Sequence, residues 1–229
     1  MELPDVLRDH NVKATAKLLH RYYHERDKKG LRSTGSYFDE WAGRGDTANK
    51  DVITDSDAMA VSMLSVTVPA KAMIGLAEPE TATRITDLLE QIPTDTALSS
   101  LSHDQAEALL TDQGPAALLW RELRSTKNNR WGIGPTTASK IMARKRPHLI
   151  PIWDEVIGQV CGAENSDDQW MNWHRLLTDG TGLPERLAEI HRLSEVELPL
   201  SELRIMDVVL WRYGKDQGLR VRRRRGRKA

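Results

Sequence analysis

One carboxylate stands out by its setting. Asp154 closes the apolar run Ile150-Pro151-Ile152-Trp153 and precedes Glu155-Val156, where an amphipathic helix begins. An aspartate at such a junction can act as a helix N-cap, accepting from the amides of residues 156 and 157. It can equally act as a fixed negative charge. Cleavage of an N-glycosidic bond builds positive charge on the sugar, in an oxocarbenium-like transition state. A rigid carboxylate in a dry site stabilises that charge far better than water does, or orients and deprotonates the attacking water. On these residues alone both readings stay open.

Upstream lies a second feature with chemical content. Gly132-Ile133-Gly134 is a two-glycine turn between helical stretches, and Pro135 suits the first position of the following helix. Glycine supplies the unusual backbone angles of a tight turn and lets another molecule approach closely. The free amides of Gly134, Thr136 and Thr137 would face outward at a helix N-terminus, a setting that favours a phosphate. Ile133 is expected to plug the core, with Ala138, Ile141 and Met142 continuing an apolar face. A turn of this kind is also a common way to join two helices.

Taken together, Gly132-Ile133-Gly134, Thr137-Ala138 and Ile150-Pro151-Ile152-Trp153-Asp154 resemble the helix-hairpin-helix DNA glycosylase superfamily, which includes endonuclease III and the adenine glycosylase of mismatch repair. The aspartate follows the first glycine by 22 residues, as in that family. The resemblance covers about 25 residues, and Val61–Pro69 matches faintly. It implies an all-α, glycosylase-like helical domain that binds DNA, flips out a damaged or modified base and hydrolyses its N-glycosidic bond. Asp154 would be catalytic, and Gly132, Ile133, Gly134, Thr136, Thr137 and Lys140 would bind DNA. The hairpin lysine of bifunctional members is replaced by Thr136, so the enzyme implied is monofunctional, without lyase chemistry. Lys140, one helical turn on, reads as a solvated charge rather than a substitute nucleophile. Base extrusion needs a wedge and an aromatic pocket, for which Trp131, Trp153, Tyr37, Phe38 and Trp41 are the candidates. Seven tryptophans against one phenylalanine do not single any of them out.

Other groupings carry less. His20 and His24 are one helical turn apart but lack an acidic third ligand, and read as a partly exposed pair. Asp51, Asp55 and Asp57 read as helix caps more simply than as a cation site. Arg144-Lys145-Arg146 ends the hairpin helix as either a solvated terminus, favoured by the dipole, or a phosphate contact. Cys161 reads as a small core residue. One cysteine excludes an internal disulfide and the four-cysteine cluster of some superfamily members. No metal and no cofactor are expected.

The elements that would position these groups are helical. Val12 to Arg26 sets Ala14, Leu18, Leu19 and Tyr22 on one face. Residues 27–50, with four glycines, read as a long loop, of which Ser33 to Asn49 could lid a pocket. Thr54 or Asp55, Ser102 and Ser201 suit N-caps, and Pro79, Pro115 and Pro184 suit first turns. About ten short helices result, as one globule over residues 1–215, with two subdomains allowed and the hairpin at 131–145. Hydrophobic residues make up 39% of the 229 and charged residues 29%, the balance of a soluble globule. No run suits a membrane span or a signal peptide, so the expected location is the cytoplasm.

Net charge is zero but unevenly placed. Residues 219–229 hold seven of the 33 basic residues, leaving 26 in a body with 33 acidic ones. Residues 216–229 therefore read as a basic, disordered tail, either merely solvated or attracted to phosphates. Three functions stay open: a glycosylase, a helix-hairpin-helix module that binds DNA without chemistry, and a helical protein touching nucleic acid through its tail alone.

Overall fold

The computed structural model describes residues 1–45, 49–124 and 131–220. Short polar side chains and prolines set most helix starts. α1 (Val12–His24) is followed by the single turn α2 (Ala42–Gly45). Thr54 and Asp57 then exchange side-chain-to-backbone hydrogen bonds in a capping box that starts α3 (Asp55–Ser62). α4 (Ala70–Leu76) comes next, and Pro79 opens α5 (Pro79–Glu90). Ser102 and Gln105 form a second capping box at α6 (His103–Leu110), and α7 (Pro115–Arg124) and α8 (Pro135–Lys145) both begin on proline. Asp154 caps α9 (Glu155–Cys161), α10 (Gln169–Thr178) follows, α11 (Leu183–Leu193) holds Pro184 in its first turn, and Ser201 caps α12 (Glu202–Asp216).

The architecture is all-α, as expected. Among the described residues the only β-type pairing is an isolated bridge, Arg26 with Arg32. The stretch 27–50 is more ordered than a loop: that bridge, a 3-10 turn at Thr34–Tyr37 and α2 lie in it. In α1 the inward residues are Thr15, Ala16, Leu19, Tyr22 and Tyr23, while Ala14 faces solvent.

α8 packs between α3 and α7, with α5 and α6 against α7. α12 packs against α1, α9 and α11. The chain thus starts beside α12, builds the α3–α8 group and returns, and the buried apolar side chains of both groups form one contiguous cluster. α12 is buried all round from Leu203 to Leu210, the pattern of a central helix. Close approach elsewhere depends on Gly75, where a methyl group would lie 2.2 Å from Trp131 Nε1.

The basic run that ends α8 is neither a solvated terminus nor a phosphate contact. Arg144, Lys145 and Arg146 are all buried. Arg144 donates to the carbonyls of Phe38 and Trp41, Lys145 to Asn49 O and Asp57, and Arg146 to the carbonyls of Ile92, Lys50 and Leu89 and to Asp51. The carbonyls they reach belong to the C-terminal end of α5 and to segments between helices. Asp51 and Asp57 are their counter-ions rather than a cation site, and burial lowers the basicity of Arg144.

No described helix is long and apolar enough to cross a membrane. α12 continues helical to Asp216, and Leu219 N still donates back to Gly214 O. Residues 221–229 of the basic tail lie outside the described residues.

Candidate functional site

The two-glycine turn is built as its residues dictate. Gly132 sits at φ 71°, in the left-handed region that favours glycine. Ile133 is buried and anchors the turn from inside. Gly134 is the N-cap of α8 and Pro135 its first residue, with no side chain capping the helix. The first-turn amides have no intrahelical acceptor, and a side chain at Gly134 would meet nothing within 4 Å. The turn's outer face is therefore open. Thr136 and Thr137 are half-buried beside it. Lys71, on α4, lies alongside Gly132, 3.5 Å from where a methyl group there would sit.

Asp154 stands one helix away. Ser139 on α8 bonds the backbone N–H of Trp153 through its hydroxyl at 2.9 Å, tying the apolar run to the hairpin helix. Ile150, Pro151 and Ile152 are buried, so the chain reaches Asp154 without freedom to swing. Asp154 Oδ1 accepts from Val156 N at 2.9 Å, the N-cap bond the sequence allowed. Its Oδ2 lies 3.4 Å from Lys140 Nζ, which also donates to Leu64 O at 2.9 Å. Lys140 is only 3% exposed. The solvated charge expected at Lys140 is thus a buried cation turned inward, because its side of the second turn of α8 faces Leu64 and Asp154 rather than solvent.

These groups open onto a cavity of about 390 Å³. Its lining takes Thr136, Lys140 and Asp154 to Val156 from α8 and the start of α9, and Arg204, Asp207, Val208, Trp211 and Tyr22 from α12 and α1. Residues 33–35 and 63–66 close the sides, so Ser33 to Gly35 form a side wall of the cavity.

None of the five aromatic candidates lines this cavity. Trp131 and Phe38 are core residues, and Trp153 is half-buried against Gly158. Tyr37 and Trp41 are partly exposed, the former beneath the Arg32 guanidinium at 4.3 Å. The aromatic lining is instead Tyr22 and Trp211, edge to face at 6.0 Å. Sequence reasoning passed over both as ordinary core positions of amphipathic helices.

It also missed Asp207. Arg204, three residues earlier, donates to Asp207 Oδ2, and its other nitrogens reach Asp39, Gly35 O and the Tyr22 hydroxyl. Burial pushes the Asp207 carboxyl up to about 6; Arg204 and Lys140 oppose the rise, and the nearby Asp154 charge adds to it. The only signal in the sequence was an acid among apolar residues on a central helix, with a partner at i−3.

Among the described residues no group of three or more His, Cys, Asp or Glu side chains is arranged to hold a metal. His20 and His24 stack at 4.5 Å, and His20 Nδ1 is bonded to Ser194 O. Cys161 is half-buried against the core, and burial pushes its thiol up to about 12.

No curated protein and no solved structure matches the chain. One family model does, that of a family of unknown function (DUF6308), over residues 15–214. The match spans most of the 229 residues, so the chain belongs to this family.

Proposed function

We propose that the protein is a DNA glycosylase of the helix-hairpin-helix kind, monofunctional, releasing a damaged or modified base and leaving an abasic site. The observation that carries the reading is the position of Asp154: a rigidly capped carboxylate on the wall of a base-sized cavity, next to the helix that begins at an open two-glycine turn. In this reading the amides of the turn grip a backbone phosphate, with Lys71 adding charge beside Gly132. The extruded nucleotide enters the cavity with its sugar towards Asp154. As the C1′–N bond lengthens, the Asp154 carboxylate faces the growing sugar cation, and Lys140 and Val156 N hold it in place. Water then adds to C1′.

A second reading has one observation in its favour. Both oxygens of Asp154 are already engaged, as expected for a cap and ion pair in a module that binds DNA without chemistry. The glycosylase reading is favoured because the Lys140 contact is long and the carboxylate still borders open volume.

The deciding experiment incubates the protein with genomic and phage DNAs of varied base modification, assays abasic sites and identifies released bases by mass spectrometry. Asp154→Asn is expected to keep fold and DNA binding while lowering base release by roughly two to four decades. Full activity in that variant rejects the catalytic role. DNA binding with no abasic sites on any DNA selects the binding module.

A further inference from the structure

We propose that Asp207 is a second reacting carboxyl in the cavity: it protonates a ring nitrogen of the departing base, which makes the substrate a neutral base carrying a basic ring nitrogen. The inference rests on the glycosylase reading and goes further, because it assigns the leaving-group chemistry and with it the substrate class.

The cavity lining has two kinds of surface. Thr136, Lys140 and Asp154 belong to the hairpin side, where the phosphodiester chain is gripped. Tyr22, Val208 and Trp211 line it together with Asp207, an apolar and aromatic surface suited to a flat ring. The sugar therefore lies towards Asp154 and the base towards Asp207. Arg204 donates to Oδ2 of Asp207, whose side chain is about nine-tenths buried and lines the cavity.

The charged and titratable groups around Asp207 are Arg204 on its own helix, Lys140 from α8, Asp154 before α9, Tyr22 from α1, and Glu155 and Lys215 in the same cavity lining. Burial outweighs the two cations, and a carboxyl that titrates near 6 holds its proton in a useful fraction of molecules at neutral pH. Two carboxyls with unlike surroundings, one beside the sugar and one acid beside the leaving group, form the usual division of labour in glycosidic cleavage.

The step balances without a further reactant. The C1′–N bond breaks, its electron pair stays on the base, and the Asp207 proton moves to a ring nitrogen of that base. Water oxygen bonds to C1′, and its proton passes to the Asp154 carboxylate and on to solvent. Asp207 regains a proton from solvent.

The test measures single-turnover base release at pH 5 to 8 from duplex oligonucleotides bearing hypoxanthine, 1,N6-ethenoadenine or N7-methylguanine. The first two are neutral; the third is already cationic and leaves without a proton. Wild type is expected to slow about tenfold per pH unit above about 6 on the neutral bases. Asp207→Asn is expected to lose about 100-fold or more on them and less than about threefold on N7-methylguanine, with Asp207→Glu recovering part of the loss. An equal loss on both classes makes Asp207 structural and overturns the proposal, as does unchanged release of the neutral bases. If Asp154→Asn releases bases at the wild-type rate while Asp207→Asn does not, the glycosylase reading fails at Asp154 instead. A wild-type protein that releases none of the three also overturns the proposal, and the underlying reading falls only if the wider DNA panel stays intact too.

Discussion

Lys140 Nζ lies 3.4 Å from Asp154 Oδ2, and both side chains are nearly sealed from solvent. The pair joins the hairpin helix to the cap of the next helix, and through Leu64 O it reaches the chain segment that closes one side of the cavity. The Asp154 carboxylate is therefore held by the same helix that begins at the two-glycine turn.

That arrangement predicts a large penalty for removing one partner. Lys140→Met leaves a buried carboxylate and the Leu64 carbonyl unpaired, and is expected to cost about 3 kcal/mol in urea unfolding. Asp154→Asn keeps the Val156 hydrogen bond and is expected to cost less. The double variant should fall short of the sum of the singles by about 1 kcal/mol or more. Additive losses would show that the two groups do not interact.

The glycines of the site separate stability from binding. A side chain at Gly134 meets open space, so Gly134→Leu should change stability by less than about 1 kcal/mol. It stands where a phosphate would approach the turn, and DNA affinity at fixed salt should fall about tenfold. Gly75→Ala is the opposite case, because its methyl would overlap the Trp131 indole. It should destabilise the fold by about 2 kcal/mol. Equilibrium unfolding and fluorescence anisotropy with labelled duplex measure both effects.

Asp57 serves three groups at once: the Thr54 amide, Lys145 and Arg144. Asp57→Ala removes the return bond of the α3 capping box and leaves two buried cations short of a counter-charge. The expected cost is about 4 kcal/mol, read as a lower unfolding midpoint. A drop no larger than that of a surface acid would contradict the pairing.

Asp207 also predicts how stability varies with pH. Its folded-state carboxyl titrates near 6, above its unfolded value, so the folded state holds the proton more tightly. The contribution is fully present below about pH 4 and is lost as pH rises through about 6. Carboxylates held low by their partners, such as Asp51, act in the opposite direction. The informative quantity is therefore wild-type stability minus that of Asp207→Asn, which should decline between those two pH values and be flat above them.

Local chemistry was legible in the sequence. Thr54, Ser102 and Ser201 cap helices, Pro79, Pro115 and Pro135 begin them, and Ile133 plugs its turn, because each of these depends on residues within one helical turn. Lys140, Arg144, Lys145 and Arg146 were misread for the converse reason. Their partners at Leu64, Phe38, Asp57 and Ile92 are separated from them by 54 to 106 residues, or lie across a helix interface, and periodicity reports only which residues share a face. The cavity was hidden in the same way. Asp154 could be found from its neighbours in the chain, whereas Tyr22, Asp207 and Trp211 meet it only after α1 and α12 have packed.

Three successive cations at the end of α8 clamp three different stretches of chain, near residues 38–41, 49–57 and 89–92. None of these clamps can open alone without stranding a charge in an apolar interior, so this end of the helix has no inexpensive partial fraying. Amide protons of Ile141 to Arg146 should exchange with deuterated solvent only through global opening, at one common rate. On the proposed reading, the opening that admits a nucleotide arises away from this end of α8, in the cavity-lining segments at 33–35 and 63–66.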